Sequence, residues 1–350
     1  MSEENIRQAI RKSSLGKRKR KTVRVIYDDI DGNIEPLRQY AENFKNNKHE
    51  PKRIYDGIVR KVRYIIVPSY KEQVVHHMVV RTLLPMFTKG MYEHSYGSIP
   101  GRGGCLGKKT IKKWIKRGGK NIKYCLKMDI KKYFDSIPHD ILKAKLAKKI
   151  KDERFLKVLF EIIDVTPNGL PLGFYTSQWL ANWYLQDLDH YIKEQLGAVY
   201  YIRYMDDMVI FGSNKRKLHN MRKAISEYLD GLGLRLKENW QVFRFDYGNG
   251  KGRHLDFMGF RFYRNRVTLR RSIMLRASRK AKRISKKDKI TVYDCMQMLS
   301  YLGWIKATDV YGMYLKRIKP FVDFGYCKKR ISRYQRRINR CGINQVMTAT

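Results

Sequence analysis

The sequence is short of cysteine, of acidic residues and of long apolar runs, and each shortage excludes a class of protein. Its five cysteines are odd in number and form no CxxC pair, which argues against a disulfide framework and against a zinc knuckle. No stretch approaches the roughly 18 consecutive apolar residues of a membrane span, and the charged amino terminus is unlike a secretory signal. We therefore expect a protein of a reducing cytoplasm that has no membrane partner.

Basic residues outnumber acidic ones more than twofold. The chain of 350 residues has 75 Lys and Arg against 32 Asp and Glu, which leaves a formal charge of +43. Because self-repulsion of this size works against a folded state, the excess indicates a polyanionic partner. The basic residues are spread along the whole chain and interleaved with 12% aromatic residues, which can stack on bases. Nucleic acid is therefore favoured over an anionic membrane.

Strand and helix patterns alternate along most of the chain. Strand-like runs at 62–67 and 121–128 are accompanied by helical patterns at 70–88 and at about 174–195. Beyond about residue 270 the pattern is helical and strongly basic. With 43% apolar residues, a chain of this length suits two or three packed lobes. The sequence predicts an α+β core followed by an all-α module.

Two adjacent carboxylates, Asp206 and Asp207, interrupt an apolar run that extends from Tyr201 to Phe211. A buried ionised carboxylate is costly unless a cation or a hydrogen-bond donor satisfies it. The flanking patterns predict a β-hairpin with Met205 and both acids in its turn, although acids are also common in ordinary surface turns. Asp129 ends another predicted strand. If the two strands are neighbours, the carboxylates meet at one sheet edge, which favours Mg²⁺ and two-metal nucleotidyl transfer.

These residues resemble the catalytic motifs of reverse transcriptases. The segment 129–134, Asp-Ile-Lys-Lys-Tyr-Phe, is similar to their first catalytic motif, and 204–207, Tyr-Met-Asp-Asp, is similar to their Tyr-x-Asp-Asp box. Further segments resemble the fingers, the loop after them and the primer grip, at 61–68, 96–103 and 255–260. The resemblance implies an α+β right-hand polymerase with fingers, a palm whose antiparallel sheet carries helices, and a helical thumb.

The resemblance assigns catalytic roles to the acids. Asp129 and Asp206 would ligate two Mg²⁺ ions, for which Mn²⁺ could substitute, and Asp207 would support them. The carbonyl of Ile130 could complete one metal site. The ions would activate a primer 3′ hydroxyl and stabilise the leaving pyrophosphate.

The resemblance also implies a nucleotide pocket. Phe134 is similar to the bulky gate that excludes a ribose 2′-hydroxyl by clash, with a core aromatic as the alternative. Arg63 and Lys71 lie where the family's fingers bind the triphosphate, whereas Gln73 stands where many bacterial relatives have Arg. The implied nucleotide-binding residues are Arg63, Lys71, Tyr133, Phe134, Leu172, Gly173 and Gln178. The implied primer and template residues are Arg102, Tyr204, Met205, Met258 and Gly259.

Residues 172–178, Leu-Gly-Phe-Tyr-Thr-Ser-Gln, depart from the commonest family pattern. Most bacterial reverse transcriptases, including group II intron and retron enzymes, resemble Gln-Gly-x-x-x-Ser-Pro at this point. Leu172 and Gln178 instead resemble the enzymes of diversity-generating retroelements. Leu172 offers no amide to a nucleotide or a template, so selection would rest on shape and would be looser. The subfamily resemblance implies misincorporation opposite template adenines, with neutral drift in a faithful enzyme as the alternative.

The subfamily resemblance implies a complete function. The chain would copy a template-repeat RNA into adenine-mutagenised cDNA for targeted protein diversification, in the cytoplasm of a bacterium or of a phage-infected host. Its partners would be template RNA, primer, cDNA, dNTPs and a small basic accessory protein that assembles as a pentamer. A retron-type or phage-defence reverse transcriptase is the alternative enzyme, although the Val-Thr-Gly of many retron thumbs reads Val-Thr-Leu at 267–269. A non-catalytic RNA-binding scaffold with a polymerase fold is the second alternative.

The predicted domains follow the family order. Residues 1–50 form a basic N-terminal extension, which contains a helix predicted near 33–48. Its basic block at 11–21 suits a nucleic-acid-binding arm, with a solvated tail as the alternative. The remaining ranges are fingers at 51–122 with a part returning at 141–172, palm at 123–265, and helical thumb with basic tail at 266–350.

Overall fold

The computed structural model describes residues 2–47, 49–56, 61–248 and 251–347. The chain forms two units, one made of Met1–Thr110 with Arg117–Arg244 and the other of Ile111–Lys116 with Phe245–Thr350. Each of the predicted domain ranges includes positions outside the described residues. The domain ranges therefore remain predictions.

The N-terminal extension folds into three helices, α1 (Glu3–Ser13), α2 (Lys21–Tyr27) and α3 (Ile34–Glu42). Helix α3 lies within the helix predicted at 33–48. Ile6 and Ile10 of α1 are fully buried, and the side chain of Asn5 donates to the carbonyl of Met78 at 3.1 Å. The first helix of the extension is therefore packed into the first unit, and the basic block begins on this packed helix.

A two-stranded hairpin and a long helix come next. Strand β1 (Lys52–Asp56) pairs antiparallel with β2 (Lys61–Ile65), which overlaps the predicted strand. Helix α4 (Tyr70–Thr88) coincides with the predicted helix and begins with a capping box, in which Ser69 and Glu72 each accept from the other's backbone nitrogen. Helix α5 (Gly104–Arg117) follows a Gly-rich loop.

A four-stranded antiparallel sheet carries the acids. Its strands lie in the order β4-β5-β3-β6, where β3 is Tyr124–Asp129, β4 is Tyr200–Tyr204, β5 is Asp207–Gly212 and β6 is Gln241–Arg244. Successive side chains of a strand point to opposite faces. Since Met208 to Phe211 are all buried, both faces of β5 are covered. This explains why the run around the acids is apolar without alternating.

Six further helices of the first unit contribute buried side chains to its hydrophobic core, which also includes residues of the four-stranded sheet. They are α6 (Tyr133–Ser136), α7 (His139–Lys149), α8 (Glu153–Ile163), α9 (Tyr175–Tyr184), α10 (Gln186–His190) and α11 (Lys215–Gly231). The single helix predicted at 174–195 is divided into α9, α10 and a π-helical turn at Tyr191–Gln195. The division falls at Leu185, whose ψ of 4° departs from helical values.

The second unit combines a small sheet with helices. Strands β7 (Leu255–Phe257), β8 (Phe260–Phe262) and β9 (Val267–Leu269) pair antiparallel in sequence order. Its main helices are α12 (Arg271–Ser285), α13 (Val292–Lys306), α14 (Tyr311–Arg317) and α15 (Phe324–Met347). Phe260 is fully buried and lies 5.0 Å from Trp304 between ring centroids. The sheet and α13 therefore share one core.

The observed elements agree with the predicted α+β class. An antiparallel sheet with helices in the first unit is followed by a mainly helical second unit, as the sequence pattern indicates. Among the described residues, no helix combines the length and the apolar character needed to cross a bilayer.

Candidate active site

The structure brings Asp129, Asp206 and Asp207 to one edge of the four-stranded sheet. Asp129 is the last residue of β3 and lies opposite Asp207, the first residue of β5, in the antiparallel register. Asp206 precedes β5 in the turn that follows β4. The predicted convergence of these carboxylates is present because their strands are neighbours.

The turn between β4 and β5, here called the acid turn, consists of Met205 and Asp206. Tyr204 already pairs with Asp207, so Asp207 begins a strand instead of belonging to the turn as predicted. Met205 has a φ of 55°, a left-handed conformation that costs a non-glycine residue about 1–3 kcal/mol. Gly97 lies against it, since a Cβ on Gly97 would be 2.6 Å from the backbone nitrogen of Met205. The surrounding structure therefore has to hold the acid turn in place.

A buried ion pair adjoins the acid turn. Arg203 is 1% exposed and donates to both carboxylate oxygens of Asp189, at 2.8 and 2.6 Å. The same guanidinium donates to the carbonyl of Met205 at 3.1 Å. The hydroxyl of Tyr201 also donates to Asp189, at 2.7 Å. Because both charges are buried together and hydrogen-bonded, Arg203 ties the acid turn firmly to α10.

The loop before α5 is bound to the edge strand β4. The backbone nitrogen of Arg203 donates to the carbonyl of His94 at 3.0 Å, and that of Tyr96 donates to the carbonyl of Arg203 at 3.0 Å. The guanidinium of Arg102 donates to the carbonyls of Tyr92, Glu93 and Ser95. Arg102 therefore stabilises this loop, and its role toward primer or template stays a prediction.

Asp206 resists ionisation in this setting. Burial contributes most to raising its pKa, the neighbouring carboxylates of Asp129 and Asp207 raise it as well, and a backbone hydrogen bond lowers it, so that the net pKa is about 7. Carboxylates this close cannot all ionise unless a cation offsets their repulsion. The charge of Asp206 therefore depends on whether a cation is bound beside it.

The donor atoms suit a hard cation. Oδ1 of Asp129 is buried and has no hydrogen-bond partner among the described residues, whereas Lys237 Nζ donates to Oδ2. Within the part of the chain that the structure describes, no three His, Cys, Asp or Glu side chains are gathered into a metal centre. Mg²⁺ needs only one or two protein carboxylates when substrate phosphates and waters fill its other positions. Asp129 and Asp206 fit that mode of binding.

Sequence reasoning missed Lys237, Arg203 and Asp189. The backbone nitrogen of Lys237 donates to the carbonyl of Asp129 at 2.8 Å, which places its side chain beside the acids. Nothing distinguishes it in the sequence from the other 74 of the 75 basic residues. For Arg203 a signal was available, because a charged residue inside an apolar strand requires a buried partner. Ile130, predicted to offer a carbonyl to a metal, is buried and forms a β-bridge with Leu236.

The aromatic pair after the first acid divides between core and surface. Tyr133 is 2% exposed, and its hydroxyl donates to the carbonyl of Ala181 at 2.5 Å. Its ring therefore belongs to the core of the first unit. Phe134 is half-buried and lies edge-on to Tyr133, with 5.7 Å between ring centroids. The gate role of Phe134 and the nucleotide role of Tyr133 stay predictions.

The segment 172–178 lies against the end of β2. The backbone nitrogen of Ile66 donates to the carbonyl of Leu172 at 2.8 Å. Gly173 has a φ of 109°, and a Cβ there would lie 2.2 Å from the carbonyl oxygen of Ile66, so the position requires glycine. Leu172 is half-buried and Gln178 is exposed. Arg63 lies in β2 and Lys71 in α4, on either side of Ile66 along the chain. These predicted nucleotide-binding residues therefore share one region of the first unit.

Met258 and Gly259 belong to the second unit. They form the two-residue turn between β7 and β8, with φ values of 51° and 84°. The carbonyl of Gly259 accepts from the backbone nitrogen of Arg270 at 2.9 Å. Their predicted contact with primer or template stays a prediction.

The family model described as "Reverse transcriptase (RNA-dependent DNA polymerase)" matches residues 46–262, which is more than half of the chain. The chain belongs to the reverse transcriptase family. The two acidic motifs at 129–134 and 204–207 both lie inside the matched range.

Curated relatives of this reverse transcriptase family member are distant. The chain is 24% identical to Protein YkfC of Escherichia coli (strain K12), over 59% of this chain and 64% of that protein. It is 25% identical to the group II intron-encoded protein LtrA of Lactococcus lactis subsp. cremoris, over 59% of this chain and 36% of that protein. It is 24% identical to the Retron Ec73 reverse transcriptase of Escherichia coli, over 64% of this chain and 73% of that protein. The chain thus spans less than two thirds of the length of the first two.

Solved structures support the same fold for this reverse transcriptase family member. An apo telomerase from Candida tropicalis superimposes with a TM-score of 0.51 at 14% identity, covering 76% of this chain and 55% of that chain. At this identity the likeness concerns the fold alone. Together with the family match, it confirms the predicted right-hand polymerase fold.

The raised pKa of Asp206 predicts that stability depends on pH when no divalent metal is present. An unfolded aspartate has a pKa near 3.9, so between about pH 4 and 7 the folded state holds the proton more tightly than the unfolded state. The free energy of unfolding should therefore fall as pH rises through this window, by up to a few kcal/mol. Urea unfolding in a chelator at about pH 5 and about pH 8 measures the difference.

Asp206→Asn should shrink that difference, because the amide cannot ionise. Asp187→Asn is the matched control, since Asp187 is exposed on α10 and forms an ion pair with Lys145. Added Mg²⁺ should restore stability above neutral pH in the wild type more than in Asp206→Asn. If the free energy of unfolding of Asp206→Asn depends on pH as strongly as that of the wild type, Asp206 is not the residue whose raised pKa causes the dependence.

Asp189→Asn should destabilise the first unit. The substitution leaves the guanidinium of Arg203 buried without its counter-charge, which costs about 3–5 kcal/mol. Asp187→Asn on the same helix should cost no more than about 1 kcal/mol, because its ion pair is at the surface. Urea unfolding of both variants checks the contrast, and equal losses would show that Asp189 is not structurally special.

Proposed function

We propose that the chain is an RNA-directed DNA polymerase that extends a primer on an RNA template. The observation that carries the proposal is the meeting of Asp129, Asp206 and Asp207 at one sheet edge in a member of the reverse transcriptase family. The formal charge of +43 supports a nucleic-acid substrate, because phosphate neutralisation dominates such binding.

In this proposal Asp129 and Asp206 hold Mg²⁺, with Asp207 and the carbonyl of Ile130 beside them. When bound, the ions supply the positive charge that activates a primer 3′ hydroxyl and stabilises the leaving pyrophosphate. The unpartnered Oδ1 of Asp129 and the raised pKa of Asp206 both favour a cation at this edge. The chain itself fixes the carboxylates, since paired strands set their separation and Arg203 holds the acid turn.

Selection of the nucleotide would fall to residues of the first unit. Arg63 and Lys71 would donate to the triphosphate by charge-assisted hydrogen bonds. The half-buried ring of Phe134 would exclude a ribose 2′-hydroxyl by clash. The pocket would take all deoxynucleotides, because it relies on shape and phosphate contacts.

We propose further that the enzyme serves a diversity-generating retroelement. Leu172 and Gln178 support this, since Leu172 is half-buried beside the end of β2 and offers no amide where many bacterial relatives have Gln. Weaker hydrogen bonding means looser discrimination between template bases. The enzyme would copy a template-repeat RNA into adenine-mutagenised cDNA together with a small basic pentameric accessory protein, in the cytoplasm of a bacterial or phage-infected host.

A retron-type enzyme is the second candidate. The similarity to the Retron Ec73 reverse transcriptase, which extends over 73% of that protein, favours it. Leu172, Gln178 and the Val-Thr-Leu at 267–269 count against it. A pair of flanking repeats that differ mainly at adenines would decide for the retroelement, because a retron or a defence enzyme has no use for them.

Primer extension on an RNA template tests the activity. Asp206→Ala should reduce incorporation more than about 100-fold, because loss of a metal ligand exceeds the cost of changes around the ligands. Asp187→Asn should extend like the wild type. Equal incorporation by the wild type and Asp206→Ala would refute the mechanism, and no incorporation by either would favour a non-catalytic scaffold.

Sequencing of the cDNA tests the subfamily. We expect wild-type errors to concentrate at template adenines and Leu172→Gln to lower their frequency, because an amide restores hydrogen bonding in the pocket. Leu172→Met is the matched control, since it keeps an apolar side chain of similar volume. Errors spread evenly over all template bases would contradict the retroelement function.

A further inference from the structure

A lysine of the N-terminal extension is held at the first turn of α4. Lys17 Nζ donates to Oε1 of Gln73 at 2.6 Å. Gln73 in turn donates from Nε2 to the carbonyl of Pro68 at 2.8 Å. The second bond fixes the orientation of the amide, so its oxygen faces the lysine. Gln73 is neutral, and Lys17 provides positive charge at this position of the fingers segment.

Within the described ranges, Lys17 lacks an acidic partner that would offset its charge. Among the residues that the structure describes, no carboxylate forms an ion pair with it, and it is half-buried. Burial and the nearby Arg20 lower its pKa. Burial, Lys17 and Arg81 lower the pKa of His77 to about 4. A half-buried ammonium among other cations is electrostatically unfavourable, and an anion bound there would relieve the repulsion.

A ring stack on α4 relates the surroundings of Lys17 to the segment 172–178. His77 lies one helical turn after Gln73 on α4 and stacks on Tyr175, with 4.1 Å between ring centroids and 13° between ring planes. Tyr175 closely follows Leu172, whose carbonyl accepts from the nitrogen of Ile66. A row of neighbouring side chains therefore leads from the extension toward the predicted nucleotide pocket: Lys17, Gln73, His77 and Tyr175.

We propose that Lys17 is a phosphate-binding residue that contacts the triphosphate of an incoming deoxynucleotide. An ammonium has three N–H donors, and Gln73 accepts one, which leaves two for phosphate oxygens. The proposal rests on the proposed polymerase function for the identity of the ligand. The same chemistry could serve a phosphate of the template backbone, so the experiment has to separate these two sources.

Nucleotide binding and primer extension by Lys17→Ala test the proposal. We expect the KM for dNTP to rise about 10-fold or more while kcat changes less than about twofold, because a charge-assisted contact made equally in ground and transition states is lost. The factor should be similar for all four dNTPs, since every triphosphate is alike. The Kd for an RNA template with a DNA primer should stay unchanged. Lys45→Ala is the matched control, since Lys45 is an exposed lysine of the extension outside the basic block at 11–21.

A second substitution keeps the test independent of local folding. In the Lys17→Ala background, Gln73→Arg should return the KM to within about threefold of wild type, because its guanidinium supplies charge at the same turn of α4. Gln73→Leu in the same background should not. Failure of Gln73→Arg to rescue, together with a lowered thermal midpoint in Lys17→Ala, would reduce Lys17 to a structural residue and overturn the proposal.

The remaining outcomes separate this inference from the proposed function. Calorimetric titration of dGTP in Mg²⁺ measures nucleotide binding without catalysis. Binding by the wild type without any extension would count against the polymerase function alone, and Lys17→Ala would still be expected to weaken that binding. An unchanged KM and dGTP affinity in Lys17→Ala would overturn the inference. A raised Kd for the template and primer with unchanged nucleotide affinity would also overturn it, by assigning Lys17 to the nucleic-acid backbone.

Discussion

The buried ion pair between Arg203 and Asp189 is the interaction on which the candidate active site depends. The pair lies within the apolar core, and its guanidinium donates a hydrogen bond to the carbonyl of Met205. The left-handed backbone of Met205 is unfavourable by itself. The acid turn then presents Asp206 beside Asp129 with little freedom to move. A weaker anchor would let the turn relax and separate carboxylates that repel each other, so a costly buried charge pair here supports a costly arrangement of acids.

The chain has a large positive net charge, but the sheet edge that holds Asp129, Asp206 and Asp207 is locally acidic. Among these acids, burial raises the pKa of Asp206. Lys237 already offsets part of that acidity from within the protein, through its contact with Asp129. The contrast means that the protein as a whole attracts anions, whereas the sheet edge attracts positive charge.

The sequence predicts elements whose pattern lies within one continuous segment. It misses single contacts between residues that are far apart along the chain. Helix α4 was predictable because its apolar spacing and its capping box lie in one continuous segment. The hairpin with Asp206 was predictable because apolar strands flank a short polar stretch. Asp189 was not, because its contacts with Arg203 and Tyr201 across the core distinguish it from other helix acids, and no local pattern shows them. The division of the helix at 174–195 also escaped prediction, since its apolar pattern continues through Leu185. Lys237 takes its place from backbone pairing with Asp129, which no motif records.

The packing of α1 into the first unit has an evolutionary consequence. Ile6 and Ile10 are fully buried, and the side chain of Asn5 donates to the backbone of α4, so α1 and α4 share complementary surfaces. Recombination between relatives that exchanged the extension alone would mismatch those surfaces and expose apolar area on both sides. The first forty or so residues and α4 should therefore be inherited as a single block, with crossovers tolerated in the exposed loops beyond them.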